Sequence, residues 1–222
     1  MTAYPAPKVD VIGTYHGSFL GFFLDPSAVY HSSGGVQKVK GSVLIWGKSL
    51  EYYQNNLQLL QTLSATPGIT LKSTLPESKR GRLAASLPNI EYLGHLAPDA
   101  WRSAMHSVEF VLGLKDPLLG PTGVEAVAYG AILVNPTYTQ QEVRQDRGRG
   151  HDSQHGYLKD YVGDPRVCTV DYAQVQTVVG CIARDGLADG VLPVDFTKAA
   201  YEDRVRALFR DVVGGAVLRQ KS

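Results

Sequence analysis

Residues 108–136, VEFVLGLKDPLLGPTGVEAVAYGAILVNP, hold a complete strand–turn–helix–strand unit. Val108–Gly113 is a short apolar run ending in glycine, the mark of a strand buried on both faces. Gly120–Gly130 is a glycine-rich turn followed by a short helix that Gly130 closes. Ala131–Asn135 is a second apolar strand, and Pro136, with no backbone N–H, ends it. Two strands joined through a helix pair in parallel, because the helix carries the chain back to its starting edge.

The same alternation continues on both sides. Upstream, Gly41–Trp46 is an apolar strand running into Gly47-Lys48. Ser49 is placed to cap a helix carrying Tyr52, Tyr53, Leu57, Leu60 and Leu63 at helical spacing, and Pro67-Gly68 breaks it. Ile69–Lys72 and Ile90–Leu93 are further strands, with residues 73–88 a polar, proline-containing loop between them. Pro98 opens a helix that runs through Met105. Downstream, residues 137–156 form a long polar loop with Arg144, Arg147, Arg149 and His151. Val167–Val170 is a strand, Tyr172–Asp185 a helix, and Asp195–Val213 a final helix with Val205, Leu208, Phe209 and Val212 on one face. Strands alternating with helices predict an α/β, Rossmann-like doubly wound parallel sheet over residues 41–215, with residues 1–40 an entry segment or connector.

Composition narrows the functional classes. Lys plus Arg number 22 and Asp plus Glu 21, a net charge of +1, which supplies no concentrated positive field for nucleic acid. No apolar run approaches the roughly 20 residues that cross a bilayer, and the opening MTAYPAPKVD lacks the pattern of a signal peptide. The chain is thus expected either to be cytosolic or to be part of a longer protein whose targeting segment lies upstream. The two cysteines, Cys168 and Cys181, match no zinc or redox spacing and are expected as buried thiols, with a disulfide open. No DxD is present, since Asp116 stands in Lys-Asp-Pro.

In a doubly wound sheet, ligands bind beyond the carboxyl ends of the strands, near helix N-termini. The turn after Gly113 fits that place. Its small residues let a backbone approach a ligand, and the free N–H groups around Thr122–Val124 favour a phosphate. Glu125, about one turn into the helix, has two readings. Its carboxylate can accept hydrogen bonds from both hydroxyls of a ribose, or it can complement the helix dipole from a solvated face. Gly47-Lys48 stands where a lysine reaches a phosphate, or is an ordinary strand-to-helix turn.

The string LLGPTGVEAVAYGAILVNP resembles the signature of glycosyltransferase family 18, the alpha-1,6-mannosylglycoprotein 6-beta-N-acetylglucosaminyltransferases. Other pieces match in order: FLGFF at Phe19–Phe23, IWGKSLEYY at Ile45–Tyr53, EFVLGL at Glu109–Leu114 and SQHGYLKDYVGDPRVCTVDY at Ser153–Tyr172. The likeness spans roughly residues 15–210. It implies a GT-B architecture of two Rossmann-like domains, of which this chain matches the C-terminal, nucleotide-sugar-binding one. The implied reaction is an inverting transfer of N-acetylglucosamine from UDP-N-acetylglucosamine to a mannose 6-hydroxyl of an N-glycan or glycoprotein, in the Golgi lumen or at its membrane, with no metal or other cofactor. The catalytic base is expected in the N-terminal GT-B domain, which has no counterpart in this chain.

The resemblance makes Glu125 the nucleotide-recognising glutamate, and Gly120, Thr122 and Gly123 a diphosphate cradle with Gly47 and Lys48 beside it. A family lysine upstream of the SQH motif has no clear counterpart; counting back from Ser153 lands near Arg144, with Arg147 and Arg149 close by. His155 is a donor-binding candidate or an anchor of the loop, and Gly156 stands where the family has proline. Three other readings compete with this one. A retaining GT-B transferase with a different sugar nucleotide usually shows a second acidic residue before Glu125, where Pro117 and Leu118 stand. A truncated, non-catalytic UDP-sugar-binding module is the second. A dinucleotide oxidoreductase needs GxGxxG after the first strand, which Trp46–Glu51 does not supply.

Overall fold

The computed structural model describes residues 22–34, 37–144, 152–185 and 189–219, with backbone alone for residues 33, 82, 143–144, 208 and 211–219. Six strands, β1 (Val39–Trp46), β2 (Thr70–Ser73), β3 (Ile90–Tyr92), β4 (Val108–Gly113), β5 (Ile132–Pro136) and β6 (Val167–Val170), form one sheet in the order β3-β2-β1-β4-β5-β6. Every pairing is parallel, and β1 meets β4 in the register Ile45↔Leu112 and Trp46↔Gly113.

Helices cover both faces, which is why the strands read as unbroken apolar runs. One face carries α1 (Leu50–Asn55), α2 (Leu57–Ala65), α3 (Glu77–Ser86) and α8 (Val175–Ile182). There Tyr53, Leu60, Leu63 and Val178 pack on Val43, Ile45, Phe110 and Leu112. The other carries α4 (Pro98–Ser107), α5 (Pro121–Ala128) and α7 (Gly156–Tyr161). There Met105, Val124, Val127 and Leu158 pack on Leu44, Trp46, Val111 and Leu133. The chain leaving β1 therefore turns to one face and the chain leaving β4 to the opposite face. Their divergence opens a crevice at the carboxyl ends of these two adjacent strands.

Residues 22–34 lie over the second face. Leu24 N–H donates to Phe196 O over 3.0 Å and Tyr30 N–H to Ala128 O over 3.0 Å. Lys38, just before β1, donates through its ammonium to Val108 O at 2.8 Å and Tyr129 O at 2.9 Å, fastening this segment to the sheet's amino edge.

Several elements depart from the sequence reading. The single helix expected after Ser49 is two helices, because Asn56 adopts φ −118° and ψ 20° and its side chain donates to Tyr52 O over 2.8 Å, competing with the backbone ladder. Ser49 occupies the N-cap of α1 without a side-chain capping bond. The expected loop 73–88 contains α3. Its polar sequence and Gly81 hide it, and burial of Leu83 and the following Leu87 holds it against the core. The loop 137–156 contains the short helix α6 (Gln140–Arg144), and α7 follows it. The last helix, α9 (Lys198–Arg219), starts after a 3-10 turn at Val194–Phe196. Phe196 is buried, whereas Phe209, expected on an apolar face, is 63% exposed; the side chains of Leu208 and Val212 lie outside the described residues.

The two cysteines are not thiols. Cys168 on β6 and Cys181 on α8 form a disulfide with Cα atoms 6.2 Å apart. Consecutive packed elements bring the two side chains together in the core, and spacing alone does not reveal the pairing.

Candidate functional site

The crevice is built from three connections. From β1 come Trp46, Gly47 and Lys48. Trp46 and Gly47 are buried, and Lys48 is exposed. From β4 comes the loop Leu114–Gly120, which delivers the first turn of α5. From the β3–α4 side comes Trp101, one turn into α4, level with Glu125, one turn into α5.

Glu125 is half-buried between these helices, and its Oε2 accepts a hydrogen bond of 3.0 Å from the indole Nε1 of Trp101. Burial raises its carboxyl above the ordinary carboxylate range; the Trp101 bond and the charges of Lys48 and Arg102 oppose that rise. Lys48 and Glu125, expected together from the sequence, are thus electrostatic neighbours across the crevice.

Gly120 is the N-cap of α5, in extended conformation, and no side chain caps the helix. Pro121 occupies the first turn, Thr122 and Gly123 are buried, and Gly123 N–H makes only a long 3.3 Å bond to Gly120 O. An uncapped helix start with its positive dipole end at the crevice is suited to an anion. The glycines have a second reason. A Cβ on Gly120 would lie 2.5 Å from Trp46 Cζ2, one on Gly123 would lie 2.7 Å from His155 Cδ2, and one on Gly47 would lie 3.0 Å from both Tyr53 Cε2 and Leu114 Cδ1. At all three glycines the protein's own side chains come close to the backbone. Tyr53 also donates to Gly47 O over 3.3 Å and bonds Ser73 Oγ over 2.7 Å, fixing the turn after β1.

His155 is fully buried beneath the start of α5. Its N–H donates to Asn135 Oδ1 on β5 over 2.9 Å, and its Nδ1 accepts from Leu158 N–H over 3.3 Å, capping α7. Arg144 ends α6, and its side chain lies outside the described residues, as do Phe19–Gly21, Arg147, Arg149 and His151. The sequence reading did not name Trp101, which sits on a helix with no motif. Nor did it give a role to Gln154, whose partners lie 37 and 39 residues away. Among the described residues no group of three or more His, Cys, Asp or Glu could hold a metal ion, and no helix is long and apolar enough to cross a membrane.

The doubly wound sheet with its crevice between β1 and β4 is the Rossmann-like fold of one half of a GT-B glycosyltransferase. It is shared with AviGT4, a glycosyltransferase involved in avilamycin A biosynthesis, at a TM-score of 0.55 and 13% identity, covering 87% of this chain and 57% of that one. A family model for glycosyltransferase family 18 matches residues 12–212, and the chain belongs to that family. Among relatives, the alpha-1,6-mannosylglycoprotein 6-beta-N-acetylglucosaminyltransferase of Caenorhabditis elegans is 24% identical over 203 residues, 86% of this chain. The A form of the same enzyme from Homo sapiens is 24% identical over 221 residues, 92% of this chain. The chain spans 29% of the length of each of these two relatives.

Proposed function

We propose that this chain is the donor-binding half of an inverting glycosyltransferase that transfers N-acetylglucosamine from UDP-N-acetylglucosamine to a mannose 6-hydroxyl of N-glycans. Family membership and the names of the relatives support the reaction class and the sugar. The single observation that carries the donor site is the half-buried Glu125 carboxylate. It is held by one indole N–H at the mouth of the crevice, one turn behind an uncapped helix start. In this reading its oxygens accept the two ribose hydroxyls. The α5 amides around Thr122–Val124, with Gly120 as the entry and Lys48 opposite, receive the diphosphate.

As UDP leaves, negative charge grows on the diphosphate. Preorganised amides and the Lys48 ammonium would stabilise it without a metal ion. The base that deprotonates the acceptor belongs, in this proposal, to an N-terminal GT-B domain outside this chain. The site of action is the Golgi lumen, a reading the Cys168–Cys181 disulfide favours, because such bonds persist in oxidising compartments.

Calorimetry with UDP and UDP-N-acetylglucosamine tests the donor site. Both are expected to bind the wild type. Glu125→Gln is expected to bind each at least about tenfold more weakly, ~1.4 kcal/mol or more, the loss of charge-assisted hydrogen bonds. Equal affinity in the two proteins would remove Glu125 from the site.

A further inference from the structure

The loop between β4 and α5 is held in a conformation its own residues disfavour. Lys115 and Leu119, neither a glycine, have φ of 72° and 51°, in the left-handed region where a Cβ crowds the backbone. Such residues persist only where their surroundings over-determine them.

One residue grips the loop at both ends, Gln154 holding Lys115 and Pro117 with its fully buried side chain and Leu119 with its backbone carbonyl. The Gln154 carboxamide oxygen accepts from Lys115 N–H at 2.9 Å, and its nitrogen donates to Pro117 O at 3.1 Å. The Gln154 carbonyl accepts from Leu119 N–H at 2.9 Å. Gln154 thus meets both left-handed residues and the turn between them. It is in turn fixed to the sheet: its N–H donates to Pro136 O at 2.9 Å, Ser153 pairs with Thr137, and His155 bonds Asn135 on β5. At the end of β4, Gly113 leaves the room the carboxamide needs, since a Cβ there would collide with Gln154 Oε1. A carboxamide is the side chain that offers one acceptor and one donor side by side; glutamate lacks the donor and leucine both.

We propose that Gln154 is a positioning residue. It sets the Lys115–Leu119 turn before any ligand arrives, so that Gly120 and the first amides of α5 already stand in place for the diphosphate of a uridine nucleotide. This rests on the proposed donor reading of the α5 start. It gives the middle residue of the Ser153-Gln154-His155 motif a task at the site with no contact to the ligand. The chain of positions runs from the carboxyl end of β5 through Gln154 to the loop, and from the loop to the helix start.

The test compares uridine with UDP by NMR titration of the wild type, Gln154→Leu and Gly113→Ala. The wild type is expected to bind UDP more tightly than uridine. Each variant is expected to lose about tenfold or more in UDP affinity while uridine affinity changes less than about twofold, the loss falling on the phosphate contacts alone. Equal losses for both ligands, or no loss for either, would overturn the positioning role. A wild type that binds uridine and UDP equally would instead remove the donor reading beneath it.

A measurement on the wild type does not depend on how the variants fold. Amide exchange at Lys115 and Leu119 is expected to be slow without nucleotide and to slow by less than about threefold when UDP is added. Exchange at open-loop rates that becomes protected only with UDP would show that the ligand, not Gln154, shapes the turn.

Discussion

Trp101 and Glu125 sit one turn into adjacent helices, and the indole N–H of the first donates to the carboxylate of the second over 3.0 Å. The bond uses part of the acceptor capacity of Oε2 and restricts the carboxylate's rotation, leaving Oε1 and further lone pairs for a diol. If it serves ribose recognition, Trp101→Phe should weaken UDP binding by about three- to tenfold, ~1 kcal/mol for one bond to a charged group. The same substitution should leave the affinity of 2′,3′-dideoxy-UDP unchanged. Calorimetry with both ligands checks this, and an equal loss for the two would place Trp101 in packing alone.

Acid should weaken uridine binding earlier than an ordinary carboxylate would. Burial raises the Glu125 carboxyl, with Trp101, Lys48 and Arg102 opposing, so in the unliganded protein it takes up its proton at a pH above the usual carboxylate range. Only the ionised form accepts from both hydroxyls, so affinity is highest above that raised value and falls as pH drops through it. Uridine is the probe because it carries no phosphate to titrate. Glu125→Gln should give a weak and nearly pH-independent affinity.

The ion pair of Lys115 with Glu142, at 2.8 Å, steadies the same loop from outside. Burial works to raise the Glu142 carboxyl, but the bonds from Lys115 and from the N–H and hydroxyl of Thr139 outweigh it and hold it below the ordinary range. A depressed carboxyl contributes stability that is present above its unfolded pKa and is lost as pH falls through the folded one. Glu142→Gln should therefore cost about 1 kcal/mol in urea unfolding at neutral pH, and the difference from wild type should close in acid. A gap that stays constant with pH would deny the pair this role.

The Cys168–Cys181 bridge closes a short loop between β6 and α8. Replacing both cysteines by alanine should lower unfolding free energy by ~3 kcal/mol, as for a loop of about 15 residues. Thiol titration of the native protein should find no free sulfhydryl until it is reduced; two reactive thiols in the unreduced protein would contradict the bridge.

The residues that read plainly are those whose environment is local. β4 and β6 run over Val108–Gly113 and Val167–Val170 as expected, because strands covered on both faces need continuous apolar side chains. Helix α3 did not read, since Gly81 and its charged neighbours lower propensity and only the tertiary burial of Leu83 and Leu87 stabilises it. In the candidate site, the positions of Glu125, Gly120 and Lys48 follow from strand ends and a helix start. Gln154 and Trp101 bond partners distant in sequence, Lys115 and Glu125, and no spacing within the chain announces such contacts. Cys168 and Cys181 are only 13 positions apart, but their spacing matches no motif, and the packing of α8 on β6 is what pairs them.

A crystal structure of the protein with UDP tests the central claim most directly. The ribose hydroxyls should lie within about 3 Å of the Glu125 carboxylate oxygens, with the diphosphate over the amides of Thr122–Val124 and Lys48 turned toward it. A uridine nucleotide bound away from the crevice between β1 and β4, or in the crevice with its ribose out of reach of Glu125, would contradict it.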